Sequence, residues 1–197
     1  MMRLATAVIA ATGLIALAGC QQPVPAPAPE TAQTPPPKVN PVERGKYLVE
    51  AVAGCDDCHT PKKGMGPNGP VLDMTRRMSG HPEADKLPPP PKPAGPWIVA
   101  AAGDFTSWAG PWGISYTANL TPDQNTGLGI WTEEMFIKAI REGKHMGTSR
   151  PILPPMPVQI LNALPDEELK SIFAYLQSLA PVKNRVPAPI EPADGSR

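Results

Sequence analysis

Cysteine is scarce in this chain. Three occur in 197 residues, too few for the multi-bridge framework that holds many small exported domains together. No charge sign dominates: 18 Lys and Arg stand against 18 Asp and Glu, so the basic footprint of a nucleic-acid-binding protein is missing. Aromatic residues amount to only 5%, which leaves little bulky material for a core. No apolar run reaches the roughly 20 residues of a membrane-spanning helix. The longest, residues 4–18, has the length of a signal-peptide core. No alternation of strands with helices is visible either. In place of these the chain holds 29 Pro and 17 Gly, a proportion that makes much of it irregular.

Two of the three cysteines fall in Cys55-Asp56-Asp57-Cys58-His59. Two thiols separated by two residues and followed at once by an imidazole form the attachment pattern of a c-type haem. Each thiol can make a thioether to one vinyl group, and His59 then supplies an axial nitrogen to the iron. Three other readings compete. A structural zinc site needs four ligands in paired clusters, and there is no second Cys pair. A thioredoxin-like dithiol opens a helix after a strand in a βαβ unit, a pattern not seen here. A plain disulfide leaves the adjacent His59 without a role. One covalent haem accounts for all three residues and adds the apolar surface that the sequence lacks.

The N-terminus sets this motif in an exported context. Arg3 precedes the apolar run and Leu17-Ala18-Gly19-Cys20 closes it, which resembles the lipobox of bacterial lipoproteins, where the Cys becomes the first mature residue and carries acyl chains. Residues 1–19 are thus expected to be a lipoprotein signal peptide and Cys20 the lipidation site. An ordinary secretory leader, with Cys20 as a stray thiol, is the alternative. Gln21 rather than Asp follows Cys20, and by the same resemblance this favours outer-membrane over inner-membrane anchoring, with the protein facing the periplasm. Residues 20–39 are Pro- and Ala-rich. With almost no bulky apolar side chains they cannot offset the entropy of ordering, so a tether reaching on the order of 60 Å is expected.

The domain proper is expected over residues 40–182, followed by a Pro-rich tail over 183–197. Asn40 as N-cap, Pro41 at the first helical position and Glu43 three residues after the cap open a first helix. Val42, Leu48, Val49 and Val52 form its apolar stripe, and Gly45 within it implies close approach of another helix, with Tyr175 packing there. Residues 61–113 resist assignment to elements. Only Trp97-Ile98-Val99-Ala100-Ala101 reads as a short strand or buried extended piece. Thr132 as N-cap and Gly143 as C′ residue bound a helix burying Met135, Phe136, Ala139 and Ile140. A last helix spans about 166–179, with Leu169, Ile172, Phe173, Leu176 and Leu179 at helical spacing.

A low-spin haem iron needs a sixth ligand, and His or Met must supply it. Met156, in Ile152-Leu153-Pro154-Pro155-Met156-Pro157, is the leading candidate, because three prolines stiffen the loop that would hold its thioether against the iron. Met146 is the second. Met65, Met74 and Met78 are assigned to haem packing or loops, and His81 and His145 to the exposed surface.

Taken together, residues 40–182 resemble a class I c-type cytochrome, with one CxxCH and one Met loop. More narrowly, Thr117-Ala118-Asn119-Leu120-Thr121-Pro122-Asp123 and the stretch from Thr126 to Glu134 resemble a haem domain of the cytochrome subunits of bacterial alcohol, aldehyde and gluconate dehydrogenases. Those subunits usually carry three haem motifs; this chain has one. The resemblance implies an all-α, cytochrome c-like fold of three or more helices around a covalent haem c, with long Pro/Gly-rich loops. It further implies Met156 as distal ligand and a proline carbonyl, from Pro67 or Pro70, orienting His59. Trp97, Trp108, Trp112 and Tyr116 are candidates to line the haem or bond a propionate, or else to pack in the core.

The expected function is single-electron transfer in the periplasm rather than enzymatic turnover. The chain would act as a shuttle, or as one subunit of a complex, passing electrons from a dehydrogenase or quinol-oxidising complex to a downstream acceptor such as a terminal oxidase. The partners expected are redox proteins, and the membrane through Cys20, with no nucleic acid and no small-molecule substrate. The alternative is a haem-based sensor or small redox enzyme with an open sixth position.

Overall fold

A computed structural model describes residues 39–91 and 95–192, all within the unit Lys38–Arg197. The leader 1–19, Cys20, the tether apart from Val39, and residues 193–197 lie outside the described residues.

The first helix, α1 (Pro41–Tyr47), begins where its cap dictates: the Asn40 side chain accepts the Val42 N–H at 2.9 Å, and Pro41 occupies the first turn. It continues as a wider π-helical segment, Leu48–Val52, closed by Ala53 N–H to Leu48 O at 2.8 Å. That widening rotates the stripe out of its 3.6-residue period. Leu48 and Val49 are buried, whereas Val42 and Val52 are exposed.

The other helices are α2 (Asp56–His59), α3 (Glu133–Glu142), α4 (Val158–Asn162) and α5 (Asp166–Gln177). α3 takes its cap from Thr132, whose hydroxyl accepts the Met135 N–H at 3.2 Å, and ends on Gly143 at φ 61°. α1 and α5 cross at Gly45, where a Cβ would lie 1.8 Å from the Ser171 carbonyl oxygen and 2.7 Å from the Tyr175 Cβ. Only hydrogen fits there. Beside the crossing, Arg44 grips Glu168 through Nε and a terminal nitrogen at 2.8–3.2 Å. Leu48 and Val49, Phe136 and Ile140, and Leu169, Ile172, Phe173 and Leu176 form the core, joined by Met78 and Leu128. The rings of Phe136 and Phe173 sit 5.3 Å apart.

The fold is not all-α. Two small antiparallel sheets occupy the stretch that the sequence left without elements. β1 (Lys62–Gly66) pairs with β2 (Gly69–Leu72). β3 (Ala100–Ala101), β4 (Ser107–Gly110) and β5 (Gly113–Tyr116) form a sheet in the order β3-β4-β5. Each hairpin turns on two residues, Pro67-Asn68 and Pro111-Trp112. The expectation fails because runs too short for a helix still need partners for their backbone groups, and a neighbouring run across a tight turn supplies them. Of the piece 97–101 only the two alanines pair. Trp97 is 77% exposed, and Ile98 and Val99 are exposed with it.

The segment 76–83 is clamped against the rest by Asn184, which is 2% exposed. Its amide donates to the Ser79 and His81 carbonyls at 2.7 and 2.8 Å, and its oxygen accepts from Glu83 N–H and Arg76 at 2.9 and 3.1 Å. Asn119 in turn donates to Val182 O at 2.8 Å.

Candidate functional site

Gly54, at φ 58°, turns the chain out of the π segment and into α2. Cys58 N–H and His59 N–H both return to Cys55 O, at 3.3 and 2.9 Å, so the two cysteines stand one helical turn apart on a common side. Both thiols are free and half-buried, and Cys55 packs against the hydrophobic core. Burial, reinforced by the Asp56 carboxylate, pushes the Cys55 thiol up to about 11. Burial also raises Cys58, with Lys62 opposing. A dithiol oxidoreductase needs a thiolate of lowered pKa, so this environment argues against that reading. Among the described residues no group of three or more His, Cys, Asp or Glu could hold a metal ion, so no ready-made zinc site accompanies the pair.

His59 is buried, and its Nδ1 donates to the Ala118 carbonyl at 2.8 Å. A carbonyl only accepts, so the proton sits on Nδ1. Nε2 is left with its lone pair, and it makes no hydrogen bond among the described residues. Burial lowers the imidazole pKa against the raising effect of that carbonyl, favouring the neutral ring that ligates iron. The orienting carbonyl is therefore that of Ala118; Pro67 and Pro70 belong to the β1–β2 hairpin. Ala118 reaches the ring because the strip 78–81 runs between it and α2. Leu120 N–H bonds Met78 O, Gly80 N–H bonds His59 O and His81 N–H bonds Thr117 O, at 2.8–3.0 Å.

Met156 is half-buried and packs against the same core as Cys55. Its loop is tied to β5 by Ser115, whose hydroxyl donates to Pro154 O at 2.6 Å. Met146 lies in a short 3₁₀ turn at φ 55°. Met78 is fully buried in the core, while Met65 and Met74 are exposed.

Neither remaining histidine is an exposed surface group. His81 is 1% exposed and bonded to Thr106 Oγ1 at 2.8 Å; half-buried His145 meets Trp131 edge-on at 5.1 Å. The indole N–H groups of Trp108 and Trp112 are used locally, on Phe105 O at 3.0 Å and Ser115 Oγ at 3.2 Å.

One further set of residues surrounds the motif. Arg77 donates through Nε to Asp56 at 3.0 and 3.2 Å, through one terminal nitrogen to Asp56 at 2.5 Å and Glu50 at 2.9 Å, and through the other to the Tyr175 hydroxyl at 2.9 Å. Tyr175 donates to Glu50 at 2.5 Å. Asp56 also accepts from Thr60 at 2.6 Å, and Thr60 Oγ1 accepts the Met78 N–H at 3.0 Å. Lys62 donates to the carbonyls of Asp57 and, at 2.9 Å, Thr60, a cation at the C-terminal end of α2. Sequence reading missed Arg77, Ala118 and Gly80. The available hint was Asp56 itself, a carboxylate that needs a counter-ion once the motif is packed.

The donor set suits a covalent haem: two free thiols on one turn, an imidazole with one nitrogen fixed and the other free, and a thioether on the same apolar core. No protein-family model matches the chain. It is 36% identical over 78 residues to a subunit of the nicotinate dehydrogenase of Pseudomonas putida, covering 40% of this chain and 6% of that protein. It is 30% identical over 152 residues to the fructose dehydrogenase cytochrome subunit of Gluconobacter japonicus, covering 77% of this chain and 23% of that one. It is also 30% identical over 142 residues to the gluconate 2-dehydrogenase cytochrome c subunit of Pantoea cypripedii, covering 72% and 24%. The chain thus spans a quarter or less of the length of these relatives. Cytochrome c subunits of dehydrogenases are thus what this chain is similar to over most of its length.

Proposed function

We propose that this protein is a monohaem c-type cytochrome that carries single electrons in the bacterial periplasm, as a shuttle or subunit working with a dehydrogenase or quinol-oxidising complex. The observation that carries the reading is His59, with Nδ1 held by Ala118 and Nε2 free, one residue from a free thiol and one turn from another. Cys55 and Cys58 would form the two thioethers, and His59 and Met156 would ligate the iron. Bound there, the haem supplies a one-electron iron couple. The protein's own residues do the rest. His59, buried, keeps a fixed tautomer and ring plane, and Met156 offers a soft sulfur from a loop pinned by Ser115 and packed against the core. The export elements belong to the same proposal: a signal peptide over 1–19, lipid on Cys20, a tether over 20–39, the haem domain over 40–182 and a tail over 183–197. Lipid on Cys20 would anchor the chain facing the periplasm. No helix of the described residues is long and apolar enough to cross a membrane.

The test is an absorption spectrum of the exported protein, oxidised and reduced, with and without carbon monoxide. Sharp reduced bands, a weak sulfur-to-iron band in the oxidised form and indifference to carbon monoxide are expected. A high-spin spectrum that shifts with carbon monoxide would overturn the Met156 ligand and point to a sensor or enzyme.

A further inference from the structure

We propose that Arg77 is a positioning and charge-balancing residue for the Cys55–His59 motif, and that by clamping Asp56 to Glu50 and Tyr175 it sets the reduction potential of the group held there. The inference rests on the haem reading above. Asp56 lies between the two cysteines, its side chain 16% exposed. A carboxylate in that place, only partly screened by solvent, favours whichever redox state of a neighbouring centre is more positive, and so lowers its potential. Arg77 answers it at 2.5 Å with a planar fork whose remaining donors reach Glu50 and Tyr175. Three elements meet on this one guanidinium: the π segment, α2 and α5. A lysine has the charge but not the fork.

A staple with no electrical role would make a different prediction, and the two can be separated. Full-length wild-type chain, Arg77→Gln, Arg77→Lys, Asp56→Asn and the double variant Arg77→Gln/Asp56→Asn are exported with haem-maturation machinery. Covalent haem is scored first, by haem-peroxidase staining of a denaturing gel, and the midpoint potential then by redox titration. Arg77→Gln is expected to shift the potential negative, Asp56→Asn positive, Arg77→Lys only part of the way, and the double variant back towards wild type. An unchanged potential in Arg77→Gln, or a double variant that stays at the Arg77→Gln value, overturns the charge-balancing role. Should Arg77→Gln fail to accumulate, Asp56→Asn decides alone, and the absence of a positive shift sinks the proposal. A wild-type chain without covalent haem fails at the gel, before any potential is read, and overturns the haem reading and this inference with it.

Discussion

A methyl group added at Gly80 would sit 2.3 Å from the Thr117 carbonyl oxygen and 2.6 Å from the carbonyl carbon of Ala118, at a φ of 74° that L side chains rarely adopt. The carbonyl that orients His59 would have to move. Gly80→Ala is therefore expected to cost about 2 kcal/mol of stability in urea unfolding and to weaken the His59–Ala118 bond, read as a shifted His59 ring resonance. Met156→Ala tests the proposed distal ligand: if Met156 holds the iron, the haem-loaded variant should bind carbon monoxide and show a lower midpoint potential, because a thioether raises it. Of these residues, His59 and Met156 were singled out as candidates from the sequence, one by its place after Cys58 and one by its prolines. Gly80 and Ala118 were not, since a carbonyl 59 residues from the ring leaves no local trace.

Helix ends were readable because caps are local chemistry. Asn40, Thr132 and Gly143 do at their termini what their side chains or freedom at positive φ allow. Thr132→Ala should cost about 1 kcal/mol, measured by the same unfolding. Gly45 was readable for a related reason, since a mid-helix glycine on an apolar stripe implies a neighbour. Gly45→Ala would place its Cβ inside the Ser171 carbonyl. Backbone cannot yield as a side chain can, so a loss of about 3 kcal/mol is expected, and both helices should separate. The sheets escaped notice because β1 and β2, and β4 and β5, are each four or five residues long, and their stability lies in the pairing rather than in either run. The π segment escaped as well. Its widening exposes Val52, which a regular helix would have kept on the stripe.

Over the whole molecule the buried and paired titratable groups set the response to acid. Burial lowers His81 from its ordinary 6.5, with Asp104 and Asp85 pulling the other way and Arg76 adding to the lowering. Glu50 is held below its usual range by the Tyr175 hydroxyl despite partial burial, with Arg77 adding to it. For Asp56, burial acts upward but the Arg77 and Thr60 hydrogen bonds outweigh it. All three bind protons less readily folded than unfolded, so each contributes stability that is complete above its unfolded value and lost as pH falls through its folded one. On acidification the urea midpoint should begin to fall below about pH 6.5 as His81 enters, and fall further below about pH 4.5 as Glu50 and then Asp56 follow. A midpoint that rises on acidification from pH 7 to 5 would contradict this.

The sequence by itself determined the chemistry on offer and the local turns that present it: the CxxCH motif, the Met156 loop, the caps and the Gly45 crossing. Each depends on residues within a few positions of one another. Tertiary structure alone decided what surrounds them. It selected Ala118 rather than a proline to hold His59, buried His81 between Thr106 and Tyr116, and brought Arg77 and Tyr175 onto Asp56 from 21 positions away and, for Tyr175 through Arg77, 98 further. These are contacts between distant segments, fixed by which backbone and side-chain groups must find partners once the core has closed, and no periodicity or spacing in the chain encodes them.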